Sequence, residues 1–519
     1  MKHILYSAMA LGLALSLGSC TENYEDYNRN PSGVSKEEME QGGYSLTAAM
    51  NNLESWIIPT DVNTNQFTEC LLGGSYGGYI ADSNPGFNGK NFAQYSPENT
   101  WNRVLFKDVI PQAFIFSNEV KQVTEDPVPL AVTQVVKVAI MQRVSDAYGP
   151  VPYTKVGADG QITAAYDDVE TIYNTMLDEL EQAVNTMTEH RTSDFNAKAD
   201  RIYGGKVDKW IKFANSLRLR MAMRISNVAP DKARKVAEAA VSHEIGVMTS
   251  NDDNAFLTPS STNPFEVVMY EYNGGDSRIS GDITSYMNGY NDPRRMAMFT
   301  PAAFDGYTAQ YIGIRSGITI PDGNTAHQYS NYKVSATSKL MVMNAAEVAF
   351  LRAEGALRGW TMGGTAKNFY EQGVKLSFDQ WGVSGADSYL ADDTHTPDKY
   401  TDPAGINNYT GSTSTITIAW DNAANFETCL ERIITQKWIA NFPLGQEAWA
   451  EIRRTGYPKL MPVVVNNSGG TVSTLRGPRR LAYPQEERLN NQINYQQAVS
   501  SLLGGADNMG TDLWWAKKQ

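Results

Sequence analysis

The sequence predicts a mainly α protein in which packed helix pairs form one scaffold carrying a large loop-rich region. Three observations point there. Apolar residues recur at helical spacing in several long segments. The stretches between them are long and rich in Gly, Pro, Asn, Asp and Ser. No low-complexity linker divides the chain after its first residues, so residues 36–519 read as a single domain.

The amino terminus comes first. Lys2 precedes an apolar run from Ile4 to Leu17. A membrane span needs roughly 20 apolar residues, so this run is too short and reads as a cleaved signal over residues 1–19. Leu17-Gly18-Ser19-Cys20 has the form of a lipobox, which predicts lipid attachment at Cys20. Each buried methylene adds about 0.8 kcal/mol, so several acyl chains on one cysteine hold a protein to a bilayer. The acidic, polar stretch beginning Thr21-Glu22-Asn23-Tyr24-Glu25-Asp26 then reads as a tether over residues 20–35.

Helices follow in chain order. Val132, Val135, Val136, Ala139, Ile140, Val144 and Ala147 make one apolar stripe between Leu130 and Ala147. Val169, Ile172, Tyr173, Met176, Leu180, Ala183, Val184 and Met187 make a cleaner one between Asp168 and Met187. Trp210, Phe213, Ala214, Leu217, Met221 and Ile225 mark a helix over residues 206–225, and Val342, Ala346, Ala349, Ala353 and Leu357 another from about Met341 to Arg358. Gly363-Gly364 separates the last from a helix over Lys367–Phe378. Helix pairs are thus expected over about 36–245 and 340–382, in the manner of tetratricopeptide hairpins, although no strict repeat of that consensus occurs. Loop-rich regions are expected over about 63–100, 251–328 and 387–417. Long loops on a rigid scaffold are where binding residues gather.

Charge and composition exclude some functions. The formal net charge is −13, whereas a nucleic-acid binder needs a basic footprint to neutralise phosphates. Acidic polyanions are disfavoured as the main ligand on the same ground, a local basic pocket excepted. Cys70 and Cys429 are single and widely spaced, with no metal-ligand spacing; a disulfide and two buried thiols both fit. Metal ligation has no HExxH or Cys/His cluster behind it. Asp82-Ser83-Asn84 and Asn251-Asp252-Asp253-Asn254 offer oxygens to calcium, but Asx-turns explain them more simply.

Two patterns suggest catalysis, and neither survives. Gly73-Gly74-Ser75-Tyr76-Gly77 matches a GxSxG nucleophile elbow, which needs a strand before it and a helix after it. Phe67–Leu72 offers a short strand, but Gly78–Gly86 reads as loop and only five His exist, so the pattern is a glycine-rich turn. Glu347 and Glu354 share one helix face near Arg352, whereas glycosidase acids flank a cleft from different elements. Packing or ion pairing is the expected role of that pair.

Aromatic loop chemistry remains. Sugar rings present apolar C–H faces that aromatic side chains cover, while Asp, Asn and Arg satisfy hydroxyls. Tyr76, Tyr79, Asp82, Asn91 and Trp101 combine both kinds in the first loop region, alongside Phe87 and Tyr95. Tyr272, Arg278 and Tyr290 do so in the second, with Tyr270, Asn273, Asp276 and Tyr286 between and around them. The competing reading is that many of these rings pack loops onto helices.

Several segments resemble the SusD/RagB family of nutrient-binding outer-membrane lipoproteins, in its second, SusD-like branch. They are Asn30-Pro31-Ser32-Gly33, the run Asp146 to Tyr153, Trp210 to Arg220, Asn344 to Glu354, Gln436 to Ala440, Pro478-Arg479-Arg480, Tyr483-Pro484, Glu486, Asn490 and Thr511 to Trp515. The resemblance runs from Cys20 to the carboxyl end. It implies four tetratricopeptide-like helix pairs plus a loop-rich region, a lipid-anchored place on the outer membrane facing outward, and a SusC-like TonB-dependent transporter as partner. It also implies a non-catalytic role: capture of a glycan, or of peptide as in RagB-like members. A surface glycosidase is the remaining alternative. No cofactor is expected, and the matching segments are scaffold motifs that carry over no ligand residues.

Overall fold

The computed structural model describes residues 43–517 apart from Ala158, Asp159, Ile162 and Thr308. The export signal, Cys20 and the tether lie outside the described residues. The chain is 51% helix and 4% strand. Its principal helices are α1 (Tyr44–Glu54), α2 (Ile110–Val123), α3 (Pro127–Tyr148), α4 (Val169–Glu189), α5 (Val207–Arg224), α6 (Pro230–Ser242), α7 (Ala345–Leu357), α8 (Ala366–Gln380), α9 (Phe426–Ala440) and α10 (Gly445–Thr455). Chain neighbours pack on one another from α2 to α6; α7 packs on α8, and α9 closes against both. The seam between α5 and α7 joins the two groups. Among the described residues no helix is long and apolar enough to cross a membrane.

Local chemistry explains where these helices start. Asp168 caps α4, its side chain accepting from the Thr171 amide at 2.8 Å, and every residue of the expected stripe is buried. Asp126 caps α3 just before Pro127, which suits a first-turn position because its missing amide has no partner there. Asn344 caps α7 through the Glu347 amide at 2.7 Å. The helix expected from Met341 therefore begins later. Leu340–Met343 is strand β4, antiparallel to β2 (Ala255–Leu257). A short, fully apolar run fits a buried strand as well as a helix, and the Asn344 cap settles the boundary.

The first loop region also opens differently from expectation. Residues Val62–Gly77 are helical, with Asp61 as cap, so Phe67–Leu72 is not a strand and Gly73–Gly77 is not a turn. These glycines exist for a close crossing. A Cβ on Gly445 of α10 would stand 2.2 Å from the Gly73 carbonyl carbon, and one on Gly77 would stand 2.5 Å from the Gly445 oxygen. The backbones touch, and only hydrogen fits between them. Beyond the crossing, β1 (Ile80–Asp82) pairs antiparallel with β3 (Ser277–Ile279), tying the first loop region to the second. Two further helices, α9 and α10, lie beyond the ranges where helix pairs were expected.

The scaffold centre is ionic. Arg220 of α5 grips Glu347 of α7 through two hydrogen bonds of 2.7 Å. Arg454 of α10 grips Glu354 in the same way, again at 2.7 Å, and also bonds Glu451. Arg224 reaches Glu447, Glu451 and Asp146, and Lys437 of α9 bonds Glu451 at 3.0 Å. All these groups are buried. Burial pushes the Glu354 carboxyl up, but Arg454 and Arg358 outweigh it and hold it at about 2. Glu447 and Glu451 are likewise held low by their cations against burial. Glu347 and Glu354 thus have the structural role expected of them, although Arg352 turns away to the Met362 carbonyl and the Phe369 ring.

Candidate functional site

The residues singled out from composition are placed mostly inside the protein. Tyr79 is fully buried, stacked on Trp438 at 5.5 Å, and its hydroxyl donates to the Trp438 carbonyl at 2.5 Å. Tyr290 is buried and donates to the Ile416 carbonyl at 3.0 Å. Trp101 packs edge-on against Phe87 at 5.0 Å. Asn91 braces a turn, bonding the Phe87 carbonyl and the Gln94 amide. Arg278 donates to the carbonyls of Met269, Ser277 and Gly274, and burial lowers its guanidinium to about 10. Tyr272 is half-buried, its hydroxyl 3.2 Å from Asn63.

Asp82 is the unusual one. It is buried, and among the described residues neither carboxylate oxygen has a hydrogen-bond partner. Burial first, and then the nearby Asp276 carboxylate, raise its pKa to about 8. It faces Ser277 across the two-stranded sheet, whereas Arg278 faces Ala81, so the two side chains leave opposite faces. The sheet brings their segments together without pairing them.

Tyr76 leads to an open site. It is nearly buried, lies 4.9 Å from the Trp449 ring and 5.8 Å from Phe92, and forms one wall of a cleft of about 710 Å3. Small-molecule sites span about 300–1,000 Å3, so this cleft is large enough for an extended ligand. Tyr95 and Tyr409 add further rings. Tyr95 holds a φ of +59°, a left-handed conformation that bulky residues rarely adopt. Arg453 lies over Trp449, 3.6 Å from the ring centroid. Polar groups line the rest: exposed Lys459, Arg476 paired to Asp512 at 2.7 Å, Arg479 on the same carboxylate, and Asp282. Burial lifts Asp282 to about 6, against the opposing hydrogen bond from the Met461 amide at 2.7 Å.

Of the residues singled out from sequence, Tyr76 and its neighbour Tyr95 line this cleft, and the other proposed ligand residues do not. Of the residues missed, Asp282 and Tyr409 come from the loop-rich regions, and most of the others from the far end of the chain, Trp449 to Asp512. A signal was present there: Pro458, Pro462, Gly469, Gly470, Gly477 and Pro478 punctuate a basic stretch with Lys459, Arg476 and Arg479.

In the two segments that offered oxygens to calcium, Asn84 and Asp253 spend theirs locally, whereas those of Asp82 have no hydrogen-bond partner among the described residues. Asn84 accepts from the Gly86 amide at 2.8 Å, and Asp253 accepts from the Thr249 and Ser250 amides while pairing with Lys212. Among the described residues no group of three or more His, Cys, Asp or Glu could hold a metal ion. Cys70 and Cys429 are free, buried thiols.

Stacked helix pairs with an ion-locked core thus carry an open cleft of ligand size, lined by aromatic and polar side chains. The chain belongs to the SusD/RagB family: the SusD-like family model, described as SusD and RagB outer membrane lipoprotein, matches residues 26–516. It is similar to a SusD homologue from Bacteroides uniformis at 50% identity, covering 92% of this chain and 100% of that one, with a TM-score of 0.89. A homologue from Bacteroides ovatus is 40% identical over 92% of this chain and 100% of that one, at a TM-score of 0.87. A chitin-binding SusD homologue from Flavobacterium johnsoniae is 38% identical over 91% and 99%, also at 0.87. No curated protein matches the chain. The protein is therefore an outer-membrane, nutrient-binding lipoprotein of a non-catalytic family.

Proposed function

We propose that the protein captures an oligosaccharide or polysaccharide at the cell surface, in the cleft walled by Tyr76, Tyr95, Tyr409 and Trp449, and delivers it to a SusC-like TonB-dependent transporter. The observation that carries this reading is the cleft itself: rings for the apolar faces of sugars stand beside side-chain hydroxyls, carboxylates and guanidinium groups for the sugar hydroxyls. Family membership supports the partner and the anchor at Cys20. A relative that binds chitin supports the ligand class. Capture followed by release calls for modest affinity, on the order of micromolar or weaker.

Peptide capture is the second reading. It is favoured by the low exposure of the Tyr76, Tyr95 and Trp449 rings and by the cations Lys459 and Arg476, which suit carboxylates. The residues first singled out, Tyr79, Asp82, Asn91, Trp101, Tyr272, Arg278 and Tyr290, then act by holding the loops that build the site. A glycan and peptide array on the purified protein separates the readings. Glycan spots bind and peptides do not if sugar is the ligand; the reverse pattern defeats the proposal.

A further inference from the structure

A second cavity, of about 310 Å3, lies where β4 meets the ends of α8 and α9. Its lining shares no residue with the cleft. The walls are aromatic: Phe265 and Phe442 flank Tyr332, with centroids 6.0 and 4.9 Å away, and Trp381 stands 6.5 Å from Phe442. An apolar pocket of this kind normally spends its polar groups on the protein, as Asn263 and Gln380 do here.

Three polar groups at the cavity are unspent. Glu69 is 1% exposed; one carboxylate oxygen takes Arg143, Thr68 and Gln446, and the other accepts no hydrogen bond among the described residues. The Tyr332 hydroxyl makes none there either, on a residue 9% exposed. The Trp381 indole N–H is buried without an acceptor among the described residues. At the solvent end, Lys333 and Lys339 are exposed and neither has an ion pair among the described residues. The chain as a whole is acidic, at −13, so two unpaired lysines at one opening mark a local exception.

We propose that this cavity is a second ligand site, for a carboxylated sugar ring. The aromatic walls take the apolar faces of a pyranose. The ring's carboxylate meets Lys333 and Lys339 at the exposed end. Its hydroxyls donate to the free Glu69 oxygen at the buried end and exchange a hydrogen bond with Tyr332. A hydrophobic acid without hydroxyls leaves Glu69 and Tyr332 unpaired, and a neutral sugar leaves the lysines unused. An acidic sugar answers both ends. The site stands apart from the cleft, so its failure leaves the oligosaccharide reading of the cleft untouched.

Calorimetry on the full-length protein in detergent tests it, with methyl β-glucuronide against methyl β-glucoside. The glucuronide is expected to bind saturably, and the glucoside about tenfold more weakly, because only charge-assisted bonds are lost. Lys333→Gln with Lys339→Gln weakens the glucuronide to the level of the glucoside; both positions are exposed, so the variant folds. Tyr332→Phe weakens it severalfold. Equal binding of the two glycosides, no binding of either, an unaffected lysine variant, or tighter binding of benzoate than of the glucuronide overturns the proposal.

Discussion

The helical core and the cleft both contain arginines, carboxylates and aromatic rings, yet they use them in opposite ways. In the core, Arg220, Arg224, Lys437 and Arg454 are each met by buried carboxylates, most of them brought from other helices. In the cleft, Lys459 is exposed, Arg476 holds only Asp512, and Tyr409 is half-buried. Saturated groups fix a fold; unsaturated groups at an opening are free to meet a ligand. Residue type alone does not distinguish them. Partners do.

The largest expected effect breaks the core. Removing one member of a buried pair strands the other charge, at a cost of about 3–5 kcal/mol. Glu354→Ala takes one of Arg454's two carboxylates, leaving it Glu451, and also unpairs Arg358; it is expected to lower stability by up to that order in urea unfolding. A loss comparable to that of an exposed pair, such as Lys206 with Asp194, would show that the ionic centre is incidental.

Next comes the glycine crossing. Gly445→Ala places a methyl group within 2.2 Å of the Gly73 backbone, where no flexible side chain can yield. Overpacking of this kind costs about 1–3 kcal/mol, visible as a lower Tm. An unchanged Tm would mean that the two helices separate freely.

Asp82 offers a pH test. Its folded pKa, about 8, lies above its ordinary 3.8, so the folded state keeps a proton that the unfolded chain has lost. The resulting stability is full below the ordinary value and is lost as pH rises toward 8. Asp82→Asn is neutral at every pH, so its Tm should rise relative to the parent between pH 5 and pH 8.5. A constant difference across that range would show that Asp82 is ionised in the fold. The smallest effect is that of Tyr79→Phe. It leaves a buried Trp438 carbonyl without its donor, costs about 1 kcal/mol, and leaves ligand affinity unchanged.

Much of the scaffold was legible. The α4 stripe and its Asp168 cap are local, and local chemistry reads directly from sequence. The segments resembling the family hold part of the ionic centre: Arg220, Glu347, Glu354 and Lys437 fall within them, whereas Arg224, Glu447, Glu451 and Arg454 do not. The cleft was barely legible, because its walls come from residues as distant as Tyr76 and Asp512 and meet only after folding. Tyr79 and Tyr290 have the composition of sugar-stacking residues, and nothing local says that their hydroxyls will be spent on the carbonyls of Trp438 and Ile416. Gly73-Gly74 misled for a related reason. A glycine pair marks a turn or a close helix crossing, and the partner, Gly445, is too far along the chain to betray which.

Binding to the cleft is the most direct test of the account. Calorimetry with the best array-selected oligosaccharide should give saturable binding to the purified protein. Tyr409→Ala, at a half-buried ring on the cleft wall, should weaken it by about five- to tenfold, one stacking contact being about 1 kcal/mol, with Tm unchanged. Saturable binding that ignores Tyr409 would place the ligand elsewhere and contradict the account.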